Sequence, residues 1–314
     1  MIGLIELNYE YSLRIFSIHT DFFKIIQYMN NPKVFILILH YGEQEDTLEC
    51  LESLKKLDYP NFEVLVIDND PNHRLGDLNF DYGVTKLVNA ENLGFSGGNN
   101  TGIKYALNNG ADYILLLNND TVIEPEFLKK LVETGEKDEK IGILGPIIYK
   151  LNTNEPHFAG GKIDWLYTSA KHVSGASDYI TGACFLIKRK VIEKIGLMPE
   201  DYFLYFEDAE WCLKARKAGF ECRVVPEARI SHKVSKNTQE YSFSYVYYHY
   251  RNGLLLAKRN APFLIKIIAY KMSLLIYLKQ VIKLVFMPSK KNWARAAIKG
   301  IGDFWKGKTG KLVN

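Results

Sequence analysis

Two adjacent carboxylates, Glu207 and Asp208, follow an aromatic run and begin a predicted helix over residues 207–218 that ends at Gly219. The helix macrodipole favours the ionised form of carboxylates in the first turn of a helix. An ionised carboxylate at the edge of an aromatic cleft can accept a proton as a general base. The alternative is a capped surface helix with two solvated acids, but a second acidic cluster at residues 118–120 also follows an apolar run and favours the chemical interpretation.

The segments before this helix alternate between strands and helices. Apolar runs predict strands at residues 34–39, 62–67, 84–88 and 113–117, and helices are predicted around residues 46–57, after Gly97-Gly98 and from Glu124-Pro125. This alternation predicts a doubly wound parallel sheet, in which ligands bind beyond the carboxyl ends of the strands. Polar clusters at residues 40–42, 68–70 and 118–120 follow three of these strands, as such a ligand site requires.

The rest of the chain is less regular. Residues 1–32 have no clear period and no signal-peptide pattern, and we interpret them as an extension, with Met29 as an alternative start of translation. Residues 151–178 are rich in glycine, asparagine and aromatic residues and are predicted to form a long loop. A short strand is expected at residues 222–225, ended by Pro226, and His232 is expected in an exposed turn.

The length and composition predict either one large domain or one domain with an appendage. Of the 314 residues, 47% are apolar, which supports a substantial core. The four cysteines show neither metal-ligand spacing nor a dense disulfide framework, so we expect buried thiols in a reducing compartment.

The net charge of +4 conceals an uneven distribution. Residues 266–314 contain eleven Lys or Arg and one acid, Asp303, which gives +10 and leaves −6 for the rest of the chain. A basic tail on an acidic body predicts an anionic partner, either nucleic acid or a membrane surface. We expect an anionic membrane and no nucleic acid, because aromatic residues accompany the basic ones as they do at a bilayer interface.

Residues 263–287 are mostly apolar but contain Lys266, Lys271, Lys279 and Lys283. The longest stretch between these lysines is seven residues, whereas a membrane-spanning helix needs about 20 mostly apolar residues. We predict one or two amphipathic helices that lie on a bilayer, with the lysines reaching the headgroups. The alternative is a helix packed on the preceding domain, followed by a solvated tail.

Several short motifs occur in order between residues 34 and 262. They are Asp68-Asn69, Asn92-Leu93-Gly94-Phe95, Gly97-Gly98-Asn99-Asn100, Leu117-Asn118-Asn119-Asp120, Thr181-Gly182-Ala183-Cys184, residues 202–216, Pro226-Glu227-Ala228 with His232, and Arg251-Asn252. Each is weak alone, but their order and spacing together resemble family 2 glycosyltransferases of the rhamnosyltransferase-like branch.

This resemblance implies the α/β GT-A fold, a Rossmann-like, mostly parallel sheet flanked by helices, here with added C-terminal amphipathic helices. It divides the chain into an extension (1–32), a catalytic domain (33–262) and a basic amphipathic region (263–314). Within the catalytic domain, residues 33–150 would form the donor half and residues 151–262 the acceptor half.

The resemblance also implies a nucleotide-sugar donor. The residues it assigns to donor binding are Tyr41, Asp68, Asn92, Gly94, Gly98, Asn100, Asn118 and Asn119. Tyr41 and Asp68 would border the base and ribose, where a carboxylate can accept a hydrogen bond from a pyrimidine N–H. Residues 92–102 would let the backbone approach phosphate or sugar at a helix start. The alternatives are a turn cap for Asp68 and a plain loop for residues 92–102.

A divalent metal, Mg²⁺ or Mn²⁺, is implied as cofactor, with Asp120 as a ligand and His232 as a further ligand. The metal would bridge the two donor phosphates and neutralise the leaving diphosphate. Many relatives have Asp at the position of Asn118, and because an amide adds no negative charge, Asp120 would be the main ligand. An Asx turn after the strand and a solvated His232 are the alternatives.

Asp208 matches the general base of the family, and Glu207 would orient the site or the acceptor. The implied reaction is a single displacement with inversion at the anomeric carbon. We therefore expect a cytoplasmic, peripherally membrane-associated glycosyltransferase that moves a sugar, with rhamnose as the candidate, to a lipid-linked or polysaccharide acceptor. The rivals are a sugar-phosphate nucleotidyltransferase, which should have a Gly-rich loop with Arg and Lys after the first strand, and an inert glycan- or membrane-binding protein, which Asp120 and Asp208 disfavour.

Overall fold

The computed structural model describes residues 31–313 except residues 79, 174, 176 and 234–241. The strands are β1 (Val34–His40), β2 (Phe62–Asp68), β3 (Val84–Val88), β4 (Tyr113–Asn118), β5 (Thr121–Ile123), β6 (Ile141–Lys150), β7 (Pro156–Phe158), β8 (Gly161–Asp164), β9 (Ser169–His172), β10 (Cys184–Lys188) and β11 (Glu221–His232). The helices are α1 (Gln44–Leu54), α2 (Gly94–Asn108), α3 (Phe127–Glu136), α4 (Arg189–Ile195), α5 (Glu207–Lys217), α6 (Phe243–Asn260), α7 (Phe263–Phe286) and α8 (Lys291–Trp305). Most of the extension proposed for residues 1–32 therefore lies outside the described residues.

Nine strands form one sheet in the order β3-β2-β1-β4-β10-β6-β11-β5, with β7 paired to β6. Among residues 33–150, β1 is parallel to β2 and β4, and β2 is parallel to β3, as predicted. The register places His40 opposite Asp68 and Leu39 opposite Asn118. The polar clusters after β1, β2 and β4 therefore share one edge of the sheet.

The second half of the sheet is mixed. Strand β10 is antiparallel to β4 and β6, and β5 is antiparallel to β11. Residues 151–178, predicted to be a loop, contain β7 and the β8–β9 hairpin. These strands have three or four residues each, which is too short for an alternating pattern to stand out in the sequence.

Strand β11 is longer than predicted. It continues through Pro226, and its register with β6 shifts between Val225 and Arg229. A bulge tolerates proline because no ladder hydrogen bond is needed there. The continuation places His232 at the end of β11 opposite Thr121, so the expectation of an exposed turn is wrong.

Helix α2 begins before Gly97-Gly98, and two of its glycines, Gly98 and Gly102, face the sheet. A Cβ at Gly98 would lie 2.5 Å from Cδ1 of Leu39, and a Cβ at Gly102 would lie 2.6 Å from Cδ2 of Leu37. The absence of side chains at these positions thus lets α2 lie close to β1.

The core extends over both faces of the sheet. The rings of Phe185 and Trp211 stack with centroids 5.5 Å apart, which packs α5 against β10. All four cysteines are free, and Cys50, Cys184 and Cys212 are buried, as predicted for structural thiols.

The last three helices have different environments. Helix α8 packs on α6 and buries Ala294, Ala297 and Gly300, so residues 291–305 are not the solvated tail that the packed-helix alternative expected. Helix α7 is a single helix of 24 residues that buries Ala269, Ser273 and Gln280 along one side and exposes most of its other apolar residues. In the described part of the chain, no helix combines the length and apolarity that crossing a membrane would require.

Candidate active site

Asp120 and His232 are distant in sequence but meet at the end of the sheet. The pairing of β5 with β11 brings them together, and Oδ1 of Asp120 lies 2.8 Å from Nε2 of His232. The Asp120 side chain is 30% exposed, so it is accessible to solvent. His232 is more buried, and its Nδ1 has no hydrogen-bond partner among the described residues.

This pair fits a divalent cation as two of its ligands. A carboxylate oxygen and an imidazole nitrogen suit Mn²⁺, and the carboxylate also suits Mg²⁺. The described residues contain no group of three or more His, Cys, Asp or Glu side chains with the spacing of a metal site. The remaining ligands would therefore be oxygens of substrate phosphates and water, as is usual for such cations in phosphate-binding sites.

Asp208 lies in the first turn of α5, where backbone N–H groups bind its carboxylate. Its Oδ2 accepts a hydrogen bond from the Gly182 N–H at 2.8 Å, and its Oδ1 accepts one from the Ala209 N–H at 2.7 Å. Burial raises the pKa of Asp208 above its ordinary value, although these two hydrogen bonds act in the opposite direction. Asp208 keeps partial solvent exposure, so it combines access with increased basicity.

A turn at residues 181–183 joins this carboxylate to the cluster after β4. The Asn118 N–H donates to the Ala183 carbonyl at 2.9 Å, while the neighbouring Gly182 N–H binds Asp208. A Cβ at Gly182 would lie 2.9 Å from the Phe95 ring, so a larger residue there would displace the turn. The turn places Asp208 and Asp120 on adjoining parts of one sheet edge.

Glu207 is in a different environment from Asp208. It is 5% exposed, and its Oε2 has no hydrogen-bond partner among the described residues. Burial, together with the neighbouring Asp208, raises the pKa of Glu207 well above its ordinary value. Burial acts against the ionised form of Glu207 more strongly than the helix dipole favours it, because the dipole contributes about 0.3–1 kcal/mol and burial of a charge costs several kcal/mol.

Asp68 ends β2 and is buried. Its Oδ1 accepts a hydrogen bond from the Asp70 N–H at 3.2 Å, as a turn cap would, whereas its Oδ2 has no hydrogen-bond partner in the described chain. Two nitrogen atoms lie near this oxygen, with Nδ1 of His73 at 3.5 Å and Nζ of Lys86 at 3.8 Å. Tyr41, the other residue expected near the base, is 58% exposed after β1.

Two asparagines form the turn that leads into α2. Asn92 Oδ1 accepts a hydrogen bond from the Gly94 N–H at 2.8 Å. Asn69 Oδ1 accepts from the Leu93 N–H at 3.1 Å, and Asn69 Nδ2 donates to the Gly94 carbonyl at 3.2 Å. The turn is thereby fixed beside the end of β2. Asn69 was not assigned a role from the sequence, although a buried amide directly after a strand is a usable signal.

Gly98 and Asn100, expected at the donor, lie on the buried side of α2. Gly98 contacts the β1 side chain Leu39. Asn100 Nδ2 donates to the Met198 carbonyl at 2.9 Å and to Glu200 Oε1 at 2.8 Å, and its Oδ1 accepts from the Met198 N–H at 3.1 Å. The Asn100 amide therefore makes its hydrogen bonds within the protein. Gly98 and Asn100 both support the site through contacts inside the protein.

Asn118 and Asn119 lie at the sheet edge as expected. Asn118 is partly exposed, and its backbone binds the 181–183 turn. Asn119 Nδ2 donates to Thr47 Oγ1 at 3.0 Å, and that oxygen lies 2.8 Å from His40 Nδ1. Asn119 therefore connects the cluster after β4 with α1 and β1.

Three residues near the site were not assigned a role from the sequence. His157 and His172 come from the segment predicted to be a loop, and the His157 ring lies with its centroid 5.6 Å from that of His232 and 5.3 Å from that of His172. Burial lowers the pKa of His157 to about 4, so its imidazole is neutral at physiological pH. Asn252 binds the loop before Glu207, and its position in a motif was the only sequence signal.

Comparisons with known proteins bear on the family and the fold of the chain. The family model described as glycosyl transferase family 2 matches residues 35–196. The chain is 27% identical over 254 residues to a dTDP-rhamnosyl transferase of Shigella flexneri, covering 76% of this chain and 84% of that protein. It is 28% identical over 293 residues to a low-salt glycan biosynthesis hexosyltransferase of Haloferax volcanii, covering 88% of this chain and 92% of that protein.

A solved structure confirms the fold. The mannosyltransferase of Pyrobaculum calidifontis, solved in complex with GDP-Man and Mn²⁺, superposes with a TM-score of 0.56 at 14% identity and with 88% of each chain covered. At that identity the likeness concerns the fold alone. The relatives are consistent with the rhamnosyltransferase-like branch, and the matched family model shows that the chain, which has the GT-A fold, belongs to glycosyl transferase family 2.

Proposed function

We propose that this protein is an inverting glycosyltransferase that uses Asp208 as its general base to transfer a sugar from a nucleotide-sugar donor to a glycan acceptor. The observation that carries the proposal is the 181–183 turn, which binds Asp208 on one side and Asn118 on the other. A carboxylate that can take a proton and an Asp–His pair that can bind a cation therefore lie at one sheet edge. Ligands bind at this edge in open α/β sheets.

The proposed reaction is a single displacement. The acceptor hydroxyl gives its proton to Asp208 while its oxygen attacks the anomeric carbon of the donor sugar. The bond from that carbon to the diphosphate oxygen breaks, and the nucleoside diphosphate leaves with the electron pair. Attack from the face opposite the leaving group inverts the anomeric configuration. Because Asp208 is partly exposed, it can then release the proton to water.

Glu207 has a supporting role in this proposal. A protonated carboxyl can donate a hydrogen bond, and Oε2 of Glu207 has no partner within the described protein. We assign this group to the orientation of the acceptor or of the Asp208 side chain.

Asp120 and His232 would hold Mg²⁺ or Mn²⁺. When bound, the metal supplies positive charge that neutralises the leaving diphosphate. Because Asn118 and Asn119 are neutral, Asp120 contributes the negative charge of this cluster. The Mn²⁺ in the mannosyltransferase structure supports the assignment by similarity of fold.

The donor half favours a pyrimidine nucleotide. The buried Oδ2 of Asp68 lacks a hydrogen bond among the described residues, and a thymine or uracil ring N–H would supply one. The relative from Shigella flexneri is named as a dTDP-rhamnosyl transferase, so dTDP-rhamnose is the first candidate.

Helix α7, beside the acceptor half, offers a surface for membrane binding. Helix α7 exposes apolar side chains along its length, among them Leu275, Leu278 and Ile282, and it also carries lysines. Leu166 and Tyr167 of the β8–β9 turn lie beside α7 and line a crevice with Met272. We propose that α7 lies on the inner face of an anionic cell membrane, where a lipid-linked or polysaccharide acceptor is presented. The free thiols of all four cysteines are consistent with a reducing compartment.

The experiment is a donor panel with the full-length protein and a membrane glycolipid extract as acceptor. Nucleoside diphosphate release is measured with Mn²⁺, with a chelator, and with the chelator followed by excess Mg²⁺. We expect release from one donor, its loss in the chelator, and its return with metal. No release from any nucleotide sugar would contradict the function, and full release in the chelator would contradict the metal role of Asp120. Asp120→Asn should weaken donor binding more in the presence of Mn²⁺ than in its absence.

A further inference from the structure

The loop before the catalytic helix has an unusual backbone. Phe203, Tyr205 and Phe206 have left-handed conformations with φ of 63°, 69° and 75°. Non-glycine residues in this region cost roughly 1–2 kcal/mol each, so surrounding contacts must hold the loop in place. Because Phe206 directly precedes Glu207 and Asp208, the loop backbone sets where the proposed base lies.

Two side chains of α6 bind the carbonyl groups of this loop. Asn252 is fully buried, and its Nδ2 lies 3.0, 2.7 and 3.0 Å from the carbonyl oxygens of Tyr202, Leu204 and Tyr205. Its Oδ1 accepts a hydrogen bond from Arg251 Nε at 2.8 Å. Arg251 Nη2 in turn donates to the Tyr202 carbonyl at 3.0 Å.

Residues 310–312 lie next to these α6 side chains and hydrogen-bond with this part of the structure. Arg251 Nη1 donates to the Gly310 carbonyl at 2.6 Å, and the Gly310 N–H donates to the Asp201 carbonyl at 2.6 Å. Two residues later, the Leu312 N–H donates to the Tyr248 hydroxyl at 2.8 Å. The Tyr248 ring stacks on Phe203 with centroids 5.7 Å apart, so residues 310–312 contact both α6 and the support of the loop.

The other side of the loop contacts the donor half. The Phe95 N–H at the start of α2 donates to the Phe203 carbonyl at 2.7 Å. A Cβ at Gly94 would lie 2.3 Å from the same carbonyl oxygen, so the two segments are in close contact. The loop is therefore held between the start of α2, helix α6 and residues 310–312.

We propose that residues 310–312, acting through Arg251, Asn252 and Tyr248, are a latch that holds the left-handed loop and so positions Asp208 for transfer. The C-terminal residues are then positioning residues for catalysis and do more than complete the packing of α8, which ends before them at Trp305. The inference rests on the proposed function only for the role of Asp208, since the latch itself is a structural statement.

The test compares two shortened chains. One ends at Thr309 and loses the latch, and its matched control ends at Leu312 and loses Val313, which is 78% exposed, and Asn314. Backbone amide exchange is measured by mass spectrometry, and turnover is measured in the donor assay. We expect faster exchange confined to peptides around residues 200–210 in the chain ending at Thr309. We also expect turnover to fall roughly 10- to 100-fold, as for a misplaced catalytic group, with nucleoside diphosphate affinity changed less.

The outcomes separate the latch from the function. Unchanged exchange at residues 200–210 would overturn the latch, and so would faster exchange spread evenly over the whole protein, because that would indicate a general structural role. If the full-length chain turns over no donor, the function fails while the exchange result still decides the latch. Tyr248→Phe removes one hydroxyl and keeps the ring on Phe203, so it should also speed amide exchange around residues 200–210, but by a smaller amount. Unchanged exchange there in both this variant and the chain ending at Thr309 would also contradict the proposal.

Discussion

The two acids at the start of α5, Glu207 and Asp208, differ in chemistry because their surroundings differ. Asp208 receives hydrogen bonds from the Gly182 and Ala209 N–H groups, whereas the Oε2 of Glu207 is buried without a partner among the described residues. Sequence analysis predicted the pair and its place at a helix start, because both can be read from residue types. It could not predict the raised pKa of Glu207, because burial of that side chain depends on residues that pack over it from other parts of the chain.

Glu207→Gln tests this difference through stability. The folded pKa of Glu207 is raised above its unfolded value, so its contribution to stability is fully present below the unfolded pKa and is lost as pH rises through the folded pKa. Glutamine has the shape of the protonated side chain and cannot ionise. We therefore expect the melting temperature of the variant to exceed that of the wild type increasingly as the pH rises above 4.5, the ordinary pKa of a glutamate. Glu227→Gln, at an exposed position, is the control, and melting curves with the same pH dependence for wild type and Glu207→Gln would contradict the assignment.

Elements that are long and apolar were predicted well, and short or interrupted ones were not. Strands β1, β2 and β4 are buried on both faces, so their continuous apolar runs identify them without any alternation. Strands β7–β9 were not predicted because they are short. The predicted end of β11 came too early because Pro226 was expected to end the strand, whereas a bulge accommodates this proline. This last error misplaced His232, whose contact with Asp120 depends on the pairing of β11 with β5.

Helix α8 offers a prediction at the scale of one element. A Cβ at Gly300 would lie 2.5 Å from the Tyr247 carbonyl oxygen of α6, whereas nothing lies within 4 Å of a Cβ at Gly302. Gly300→Ala should therefore force the helices apart and lower the free energy of unfolding by about 1–3 kcal/mol. Gly302→Ala should raise it by about 0.5–1 kcal/mol, since alanine favours the helix. Urea unfolding of both variants checks this, and equal changes would mean that α8 does not pack on α6 as described.

At the scale of the molecule, charge and apolar surface are concentrated at one end of the chain. Helix α7 exposes Leu278 at 59% and Phe286 at 76%, while α8 anchors the region to α6. The sequence predicted the amphipathic region and its charge but not that α8 is packed while α7 is exposed, because this depends on which surfaces of the fold are available to cover each helix.

Membrane binding is testable with paired lysine variants. Lys271→Gln with Lys279→Gln removes two exposed charges from α7, and Lys137→Gln with Lys140→Gln removes two exposed charges elsewhere. Each basic residue near an anionic surface contributes about 1 kcal/mol, so the first pair should reduce co-sedimentation with phosphatidylserine vesicles far more than the second. The difference should diminish in high salt, because screening acts over about 8 Å at physiological ionic strength. Equal binding by both pairs would argue against α7 as the membrane-binding surface.

The most direct measurement is turnover of Asp208→Asn, read as nucleoside diphosphate release with the accepted donor and Mn²⁺. Asparagine keeps an oxygen that can accept the Gly182 N–H but cannot take the acceptor proton. We expect release to fall roughly 10²- to 10⁴-fold, the range that general-base catalysis contributes, with donor affinity nearly unchanged. Asp81→Asn, at an exposed position before the amino end of β3, should keep wild-type turnover. Near-normal release by Asp208→Asn would contradict the assignment of the base and with it the proposed mechanism.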